Sequence, residues 1–224
     1  DVYKRQVRRP VAGASLTMIL SLSGKLMIKD NLVREGRWNE RTNHMGVGLI
    51  NKTLGIVGFG GIGREFVKIS KGLFKNIICY DPFVGKEEMK NLQVDKVDFN
   101  EIANSSDFLV ILCDLNEKTR GMIDSTFLNK MKSSSYLINL SRGPVVNEND
   151  LIVSLKQNKI SGAGLDVMTN EPIEENNELL NLKNTILTPH SLCWTDECFD
   201  SIAKEAITSI LNYFNNKKII NRVV

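Results

Sequence analysis

Two polar side chains stand directly after apolar runs, where a parallel sheet presents side chains to a ligand. His190 follows Pro189 after the run 185–187, and Arg142 follows the run that ends at Leu140. Imidazole titrates near neutral pH when unperturbed, so His190 is a candidate general acid or base, although most histidines are structural. A guanidinium at such an edge can hold a carboxylate through two hydrogen bonds, and a surface ion pair is the alternative for Arg142.

A glycine cluster follows a third apolar run, residues 54–57. Gly58, Gly60 and Gly63 fit G-x-G-x-x-G between a predicted strand and a predicted helix. In that pattern the first glycine permits a tight turn, the second lets a pyrophosphate approach the backbone, and the third brings helix and strand together. The free amides and the positive dipole end of the helix would face the phosphates. An ordinary glycine-rich turn is the alternative, because such turns are common.

An acidic residue stands at the spacing that a dinucleotide site requires. Asp81 ends the apolar run 76–80 and lies 18 positions after Gly63, where a carboxylate should accept the two ribose hydroxyls of NAD. The same carboxylate would repel a 2′-phosphate, so NADP is disfavoured. The alternative is a solvated turn residue before Pro82.

Strands and helices alternate along residues 54–214, which predicts an α/β fold with a doubly wound parallel sheet. The run 108–112 is continuously apolar, as strands buried on both faces are, and 136–140 is predicted to be another buried strand. The predicted strands are 54–57, 77–80, 94–97, 108–112, 136–140, 163–167 and 185–187, and the predicted helices include 64–73, 126–131, 148–157 and 196–214. Because ligands bind outside the carboxyl ends of such strands, Cys113, Asp114 and Asp166 are further candidates.

One long helix is predicted over residues 11–35, with Gly36 placed to end it. Apolar residues recur along it near three-and-four spacing at Leu16, Ile19, Leu20, Leu26, Met27 and Val33, while Met18 and Leu22 fall on other faces. A helix that is apolar on more than one side needs burial on more than one side. We therefore expect it to pack on its own domain and also on a second lobe or partner subunit, which favours a homodimer.

The composition is that of an ordinary globular protein. The chain has 224 residues, 42% hydrophobic and 25% charged, and a formal net charge of only +3. Basic residues form no run beyond the first ten positions and alternate with no aromatic residues, so nucleic acid is not indicated as a partner. Four cysteines form no C-x-x-C pair, which favours reduced thiols in the cytoplasm, and no metal site is predicted.

The first 24 residues imitate a signal peptide only poorly. A basic stretch precedes an uncharged run of 14 residues, which is short for a membrane span and more typical of a buried helix. There is no clean cleavage site, so neither a signal peptide nor a membrane is predicted. Residues 1–6 resemble a translated sequencing adapter, and residues 1–10 are interpreted as foreign or hinge sequence.

Six motifs together resemble the D-isomer-specific 2-hydroxyacid dehydrogenases, such as phosphoglycerate dehydrogenase and hydroxypyruvate reductase. The resemblance covers almost everything from Pro10 onward, and the motifs occur in the order of that family. They are 52–58 (KTLGIVG), 80–82 (YDP), 138–146 (INLSRGPVV), 162–167 (GAGLDV), 170–172 (NEP) and 187–190 (LTPH). The resemblance implies a Rossmann domain that binds NAD.

The resemblance also implies the catalytic roles. Arg142 matches the arginine that binds the substrate carboxylate and carbonyl oxygen, and Glu171 matches the glutamate that hydrogen-bonds the catalytic histidine, His190. A carboxylate there fixes the tautomer of the histidine and favours its charged form, so His190 would protonate the carbonyl oxygen during reduction. Spacing alone does not single out Glu171 among the acidic residues of its loop.

The family pattern further implies a set of cofactor contacts. Asp166 matches the residue that holds the nicotinamide carboxamide, and the main chain of Gly61 and Ile62 would bind the pyrophosphate. The implied cofactor-binding residues are Gly58, Gly60, Gly61, Ile62, Gly63, Asp81, Cys113, Leu140, Arg142, Asp166 and His190.

The sequence departs from the family pattern at three places. Cys113-Asp114 stands where a small residue or threonine followed by proline is common, which puts that cofactor contact in doubt. The segment 191–194 replaces a glycine-containing one, and its Trp194 either walls the substrate pocket or packs the loop. Most of the flavodoxin-like substrate lobe would precede Val11, so we expect residues 11–190 to form the NAD domain and 191–224 to return to that lobe. As such a fragment, the chain is expected to bind cofactor with little or no turnover.

Two other functions remain open. A non-enzymatic NAD-binding regulator of the same fold would share these motifs, and formate dehydrogenase looks similar but pairs its histidine with glutamine. Glu171 counts against the second. The motifs do not name the substrate, and glyoxylate, hydroxypyruvate and 3-phosphoglycerate type acids all fit.

Overall fold

The computed structural model describes residues 6–219, so the predictions for residues 1–5 and 220–224 lie outside the described part. Seven strands form one parallel sheet in the order β3-β2-β1-β4-β5-β6-β7. The strands are β1 Thr53–Val57, β2 Asn76–Tyr80, β3 Asp95–Lys96, β4 Phe108–Ile111, β5 Tyr136–Asn139, β6 Gly162–Leu165 and β7 Thr185–Leu187. This confirms the predicted doubly wound α/β fold.

Helices cover both faces of the sheet. They are α1 Arg8–Gly24, α2 Leu26–Arg34, α3 Gly61–Ser70, α4 Lys86–Lys90, α5 Phe99–Ser105, α6 Ser125–Leu128, α7 Glu148–Lys156 and α8 Asp196–Phe214, with short 3-10 turns at Trp38–Asn43, Gly143–Val145 and Glu178–Asn181. From β1 in the middle of the sheet the chain adds β2 and β3 on one side, and it then returns to the middle and adds β4 to β7 on the other side. The strand order therefore reverses between β1 and β4. A crevice at such a reversal is where ligands of open parallel sheets bind.

The buried strands divide their side chains between two apolar layers. Alternate residues of β4 contribute to opposite layers, with Phe108 and Val110 on one side and Leu109 and Ile111 on the other. All four are fully buried. The uninterrupted apolar runs that predicted these strands therefore follow from burial on both faces.

The prediction of a single helix over residues 11–35 is wrong. Lys25 adopts a left-handed conformation with φ of 53° and separates α1 from α2, which are bent by 58° relative to each other. Met18 and Leu22, which fall on other faces of the predicted helix, are buried against Gly164 of β6. Four of the residues at three-and-four spacing are 48–59% exposed, namely Leu20, Leu26, Met27 and Val33.

Other boundaries differ by a few residues. The predicted helix 64–73 begins at Gly61, directly after the glycine turn, and ends at Ser70, before Gly72 adopts a φ of 82°. The strand predicted over 163–167 ends at Leu165. No single helix within residues 6–219 is long and apolar enough to cross a membrane, while α1 and α2 taken together pass on length and composition.

Candidate cofactor and catalytic site

Each glycine of the G-x-G-x-x-G turn has a distinct local geometry. Gly58 has a φ of 102°, and an added Cβ would lie 2.7 Å from the amide nitrogen of Cys113. At Gly63 an added Cβ would lie 2.3 Å from the Gly58 carbonyl oxygen, so helix and strand pack there without a side chain. At Gly60 an added Cβ would meet nothing within 4 Å. The turn therefore has no room for a side chain at Gly58 or Gly63, whereas the space beside Gly60 is open.

Gly58→Ala is expected to lower the free energy of unfolding by about 2–4 kcal/mol, because it combines a strained backbone with a clash against the main chain. Gly60→Ala is the matched control and should change the free energy of unfolding by less than about 1 kcal/mol. Urea unfolding followed by circular dichroism measures both. Equal losses in the two variants would contradict the asymmetry of the turn.

Asp81 lies beside this turn at the carboxyl end of β2. Its Oδ2 accepts a hydrogen bond from the Phe59 amide at 2.7 Å, and its Oδ1 accepts one from the Phe83 amide at 2.8 Å. The second bond is the turn interaction expected of an aspartate before proline. A carboxylate offers about four acceptor positions. Two of them therefore remain for a ligand.

The loop that carries Arg142 is shaped by a buried asparagine. Asn139, only 1% exposed, accepts from the amide and hydroxyl of Ser141 through Oδ1 and donates from Nδ2 to the Arg142 carbonyl oxygen at 3.0 Å. The Arg142 side chain is exposed, and its Nη1 donates to the Ser141 carbonyl oxygen at 2.7 Å. The guanidinium is therefore free to meet a second acceptor at the carboxyl edge of the sheet.

Asp166 organises the loop that leads to His190. Its carboxylate is 3% exposed and accepts from the Thr188 hydroxyl at 2.6 Å, from the Ser191 amide at 3.1 Å and from the Leu192 amide at 3.2 Å. These bonds span both sides of His190. In this structure the Asp166 carboxylate holds the loop, and its predicted contact with the nicotinamide remains a prediction.

His190 and Glu171 lie within hydrogen-bonding distance of each other. The Nδ1 atom of His190 lies 2.7 Å from Oε2 of Glu171, and the other oxygen of Glu171 accepts from the Met168 amide at 3.0 Å. His190 itself has a φ of 52°, a conformation that a non-glycine residue adopts at a cost of about 1 kcal/mol or more. Backbone strain of this kind is concentrated at functional sites.

Charges gathered around Glu171 keep it ionised. Partial burial alone would raise the pKa of its carboxyl, but the hydrogen bonds from His190 and Met168 and the positive charges of His190 and Arg142 lower that pKa overall. Arg142 is thus near enough to act on Glu171 electrostatically. The structure brings Arg142, Glu171 and His190 together at one edge of the sheet, and Cys113 and Leu140 follow the carboxyl ends of β4 and β5.

Cys113 is a poor candidate for reactive chemistry. Burial raises the pKa of its thiol to about 11, and the charges of Asp114 and Asp81 add to the effect. The thiol is therefore neutral at pH 7 and offers only a packing contact. Trp194 is 59% exposed and meets Phe199 edge-on with ring centroids 5.5 Å apart, so it is not part of the core.

Sequence reasoning missed two positioning residues, Asn139 and Thr188. Asn139 was read as part of an apolar strand, and the signal that could have found it is a polar residue inside a run predicted to be fully buried. A buried polar residue needs hydrogen-bond partners, and Asn139 finds them in the main chain and side chain of the Arg142 loop. Thr188 carried no comparable signal, because its bond to Asp166 joins positions 22 residues apart.

Comparisons with known proteins identify the family to which the chain is similar. Residues 16–191 match the family model described as D-isomer specific 2-hydroxyacid dehydrogenase, NAD binding domain. The chain is 34% identical over 209 residues to a D-3-phosphoglycerate dehydrogenase of Archaeoglobus fulgidus and 36% identical over 208 residues to a glyoxylate reductase of Thermococcus litoralis. These matches cover 93% and 90% of this chain but only 40% and 62% of the two relatives.

A solved structure of similar shape is an acyclic imino acid reductase, Bsp5, in complex with NADPH and D-Arg. It superposes with a TM-score of 0.87 at 26% identity, over 98% of this chain and 69% of that one. NAD is the cofactor indicated by the matched family model, and NADP remains the alternative that the Bsp5 complex illustrates. The match over residues 16–191 and the identities above 30% confirm the resemblance read from the six motifs: the chain belongs to the D-isomer-specific 2-hydroxyacid dehydrogenase family and contains its NAD-binding domain.

Proposed function

We propose that this protein serves hydride transfer between NAD(H) and a D-2-hydroxy acid or the corresponding 2-keto acid. The observation that carries the proposal is the 2.7 Å pair between Nδ1 of His190 and Oε2 of Glu171. That pair lies at the carboxyl edge of the sheet, where Arg142 and the glycine turn also lie. A proton donor, a carboxylate-binding cation and a phosphate-binding turn are the groups that this reaction needs.

The glycine turn fits a dinucleotide. The open space at Gly60 leaves room for a diphosphate beside the first turn of α3, whose initial amides have no partner within the helix. Asp81 keeps acceptor positions for ribose hydroxyls next to the same turn. Gly58, Gly60, Gly63 and the amides of Gly61 and Ile62 would hold the cofactor there.

The chemistry follows from the three charged residues. When bound, NADH supplies the hydride that C2 of a 2-keto acid accepts. His190 gives its proton to the carbonyl oxygen, so the product is a 2-hydroxy acid and the imidazole is left neutral. Glu171 holds the imidazole in the required tautomer and orientation through its contact with Nδ1. Arg142 binds the substrate carboxylate through two charge-assisted hydrogen bonds and so orients C2.

Glu171 also distinguishes between the alternative functions. A formate dehydrogenase would pair its histidine with glutamine, and the lowered pKa of Glu171 supports an ionised partner instead. A non-enzymatic NAD-binding regulator of the same fold remains the second candidate. Turnover separates the two: a chimera with a family substrate lobe should reduce glyoxylate, hydroxypyruvate or a phosphorylated analogue, and failure on every 2-keto acid would favour the regulator.

Asp81→Ala is expected to weaken NADH binding at least about tenfold and NADPH binding much less, because the lost carboxylate accepts from ribose hydroxyls in one case and repels a 2′-phosphate in the other. Fluorescence titration of the reduced cofactors gives both dissociation constants. Asp81→Asn is the control that keeps an acceptor for the Phe59 amide. Equal losses for NADH and NADPH would remove Asp81 from ribose recognition.

The proposal extends to the turnover of these residues alone, to the oligomeric state and to the location of the protein. The chain spans 40–62% of the two relatives, which supports little turnover by these residues alone. Leu26, Met27 and Val33 are each more than half exposed on α2 and support a homodimer, which size-exclusion chromatography with light scattering would test. The four free cysteines support a cytoplasmic location.

A further inference from the structure

A fourth glycine in the turn is not explained by the G-x-G-x-x-G pattern. Gly61 begins α3, and its backbone is not in the left-handed region. An added Cβ at this position would lie 2.3 Å from Nε, 2.6 Å from Cζ and 2.9 Å from Cδ of Arg8. The Arg8 side chain therefore occupies the space that a side chain at position 61 would need.

The nearby carboxylate of Glu65 pairs with other cations and not with Arg8. Arg8 falls within the stretch 1–10 interpreted from the sequence as foreign or hinge residues, but in the structure it is the first residue of α1. Arg9 beside it pairs with Glu65 of α3 at 3.1 Å. Lys68 also reaches Glu65, at 3.3 Å. No hydrogen bond or ion pair joins Arg8 to another residue in the described range 6–219. The exposed Arg9–Glu65 pair adds little to the apolar packing that holds α1 on α3, and the Arg8 guanidinium remains available at the glycine turn.

We propose that Arg8 binds the diphosphate of the bound dinucleotide. This inference rests on the proposed cofactor site, to which it adds a positively charged residue from α1. Uncharged amides and a helix dipole carry only part of the charge needed to balance two phosphate groups. A guanidinium has the donor geometry that phosphate oxygens accept bidentately. A larger residue at position 61 would push the exposed Arg8 side chain away from this position.

The test compares two adjacent arginines. Arg8→Gln should raise the dissociation constant of NADH about fivefold to twentyfold at low salt, whereas Arg9→Gln, which removes the same charge one position away, should change it less than about twofold. Arg8→Lys should recover part of the affinity. The salt dependence of NADH binding should also be shallower in Arg8→Gln than in the unaltered chain.

Competition titrations test whether Arg8 acts on the phosphate groups of the cofactor. ADP should compete less well for Arg8→Gln than for the unaltered chain, while adenosine should compete equally well for both. Gly61→Ala should weaken NADH binding about threefold when Arg8 is present and not when glutamine replaces it. Independent effects of the two substitutions would overturn the contact between Arg8 and position 61.

The outcomes separate this inference from the function on which it rests. Equal dissociation constants for Arg8→Gln and the unaltered chain, or equal losses in Arg8→Gln and Arg9→Gln, would overturn the role of Arg8 and leave the cofactor site standing. A folded, unaltered chain that binds no NADH would overturn the cofactor site itself. Circular dichroism on each variant distinguishes lost binding from lost folding.

Discussion

Replacing His190 with glutamine is expected to lower kcat by about a hundredfold or more while the dissociation constant of NADH changes little. Glutamine can still donate a hydrogen bond to Glu171, so the loop keeps its shape, but it supplies no proton to the carbonyl oxygen. The measurement is single-turnover oxidation of NADH by a 2-keto acid, in a chimera that carries the substrate lobe of a family member.

The second histidine of the chain provides the matched control for this prediction. His44 lies at the end of the 3-10 turn Trp38–Asn43, far along the chain from the charged edge residues. His44→Gln should leave kcat within about twofold of the unaltered value. A His190→Gln variant that also kept its kcat would exclude His190 from proton transfer.

Arg142→Leu is expected to lower kcat/KM for the 2-keto acid by about a thousandfold, because two charge-assisted hydrogen bonds to the substrate carboxylate are lost. The loss should fall mostly on KM if Arg142 only binds the carboxylate, and on kcat as well if it also polarises the carbonyl. Steady-state kinetics with the same chimera measures both parameters.

Arg142→Lys is the graded control, since lysine keeps the charge but not the planar fork of donors. It should fall between the leucine variant and the unaltered protein. NADH binding should change less than about threefold in both, because Asn139 holds this loop through the Arg142 main chain. A leucine variant with normal kcat/KM would show that another cation binds the carboxylate.

The sheet could be predicted from the sequence because its central strands are buried on both faces. Runs such as 108–112 have no polar position, which is the pattern expected of strands in a parallel sheet that helices cover on both faces. The glycine turn could also be predicted, since Gly58 and Gly63 meet local requirements of backbone shape and close packing, while Gly60 leaves open space.

The break between α1 and α2 could not be read in the same way. Lys25 is an ordinary helix former, and nothing in its side chain signals the left-handed conformation, with φ of 53°, that it adopts. The exposed apolar face of α2 then looks continuous with the buried face of α1 in the sequence. Periodicity alone joined two helices that pack differently.

Glu171 illustrates the limit for the site. It lies in a loop with other carboxylates, and only its three-dimensional position beside Met168 and His190 distinguishes it. The resemblance to a known family supplied what local pattern could not. Arg8 was beyond both kinds of reasoning, because its neighbour in space, Gly61, is more than fifty positions away in the sequence.

We expect this chain to bind NAD at the glycine turn beside Asp81. The test is a titration of the 224-residue chain with NADH and separately with NADPH, followed by nicotinamide fluorescence. Saturable binding is expected, with a lower dissociation constant for NADH than for NADPH. A chain that is folded by circular dichroism and binds neither nucleotide would contradict it.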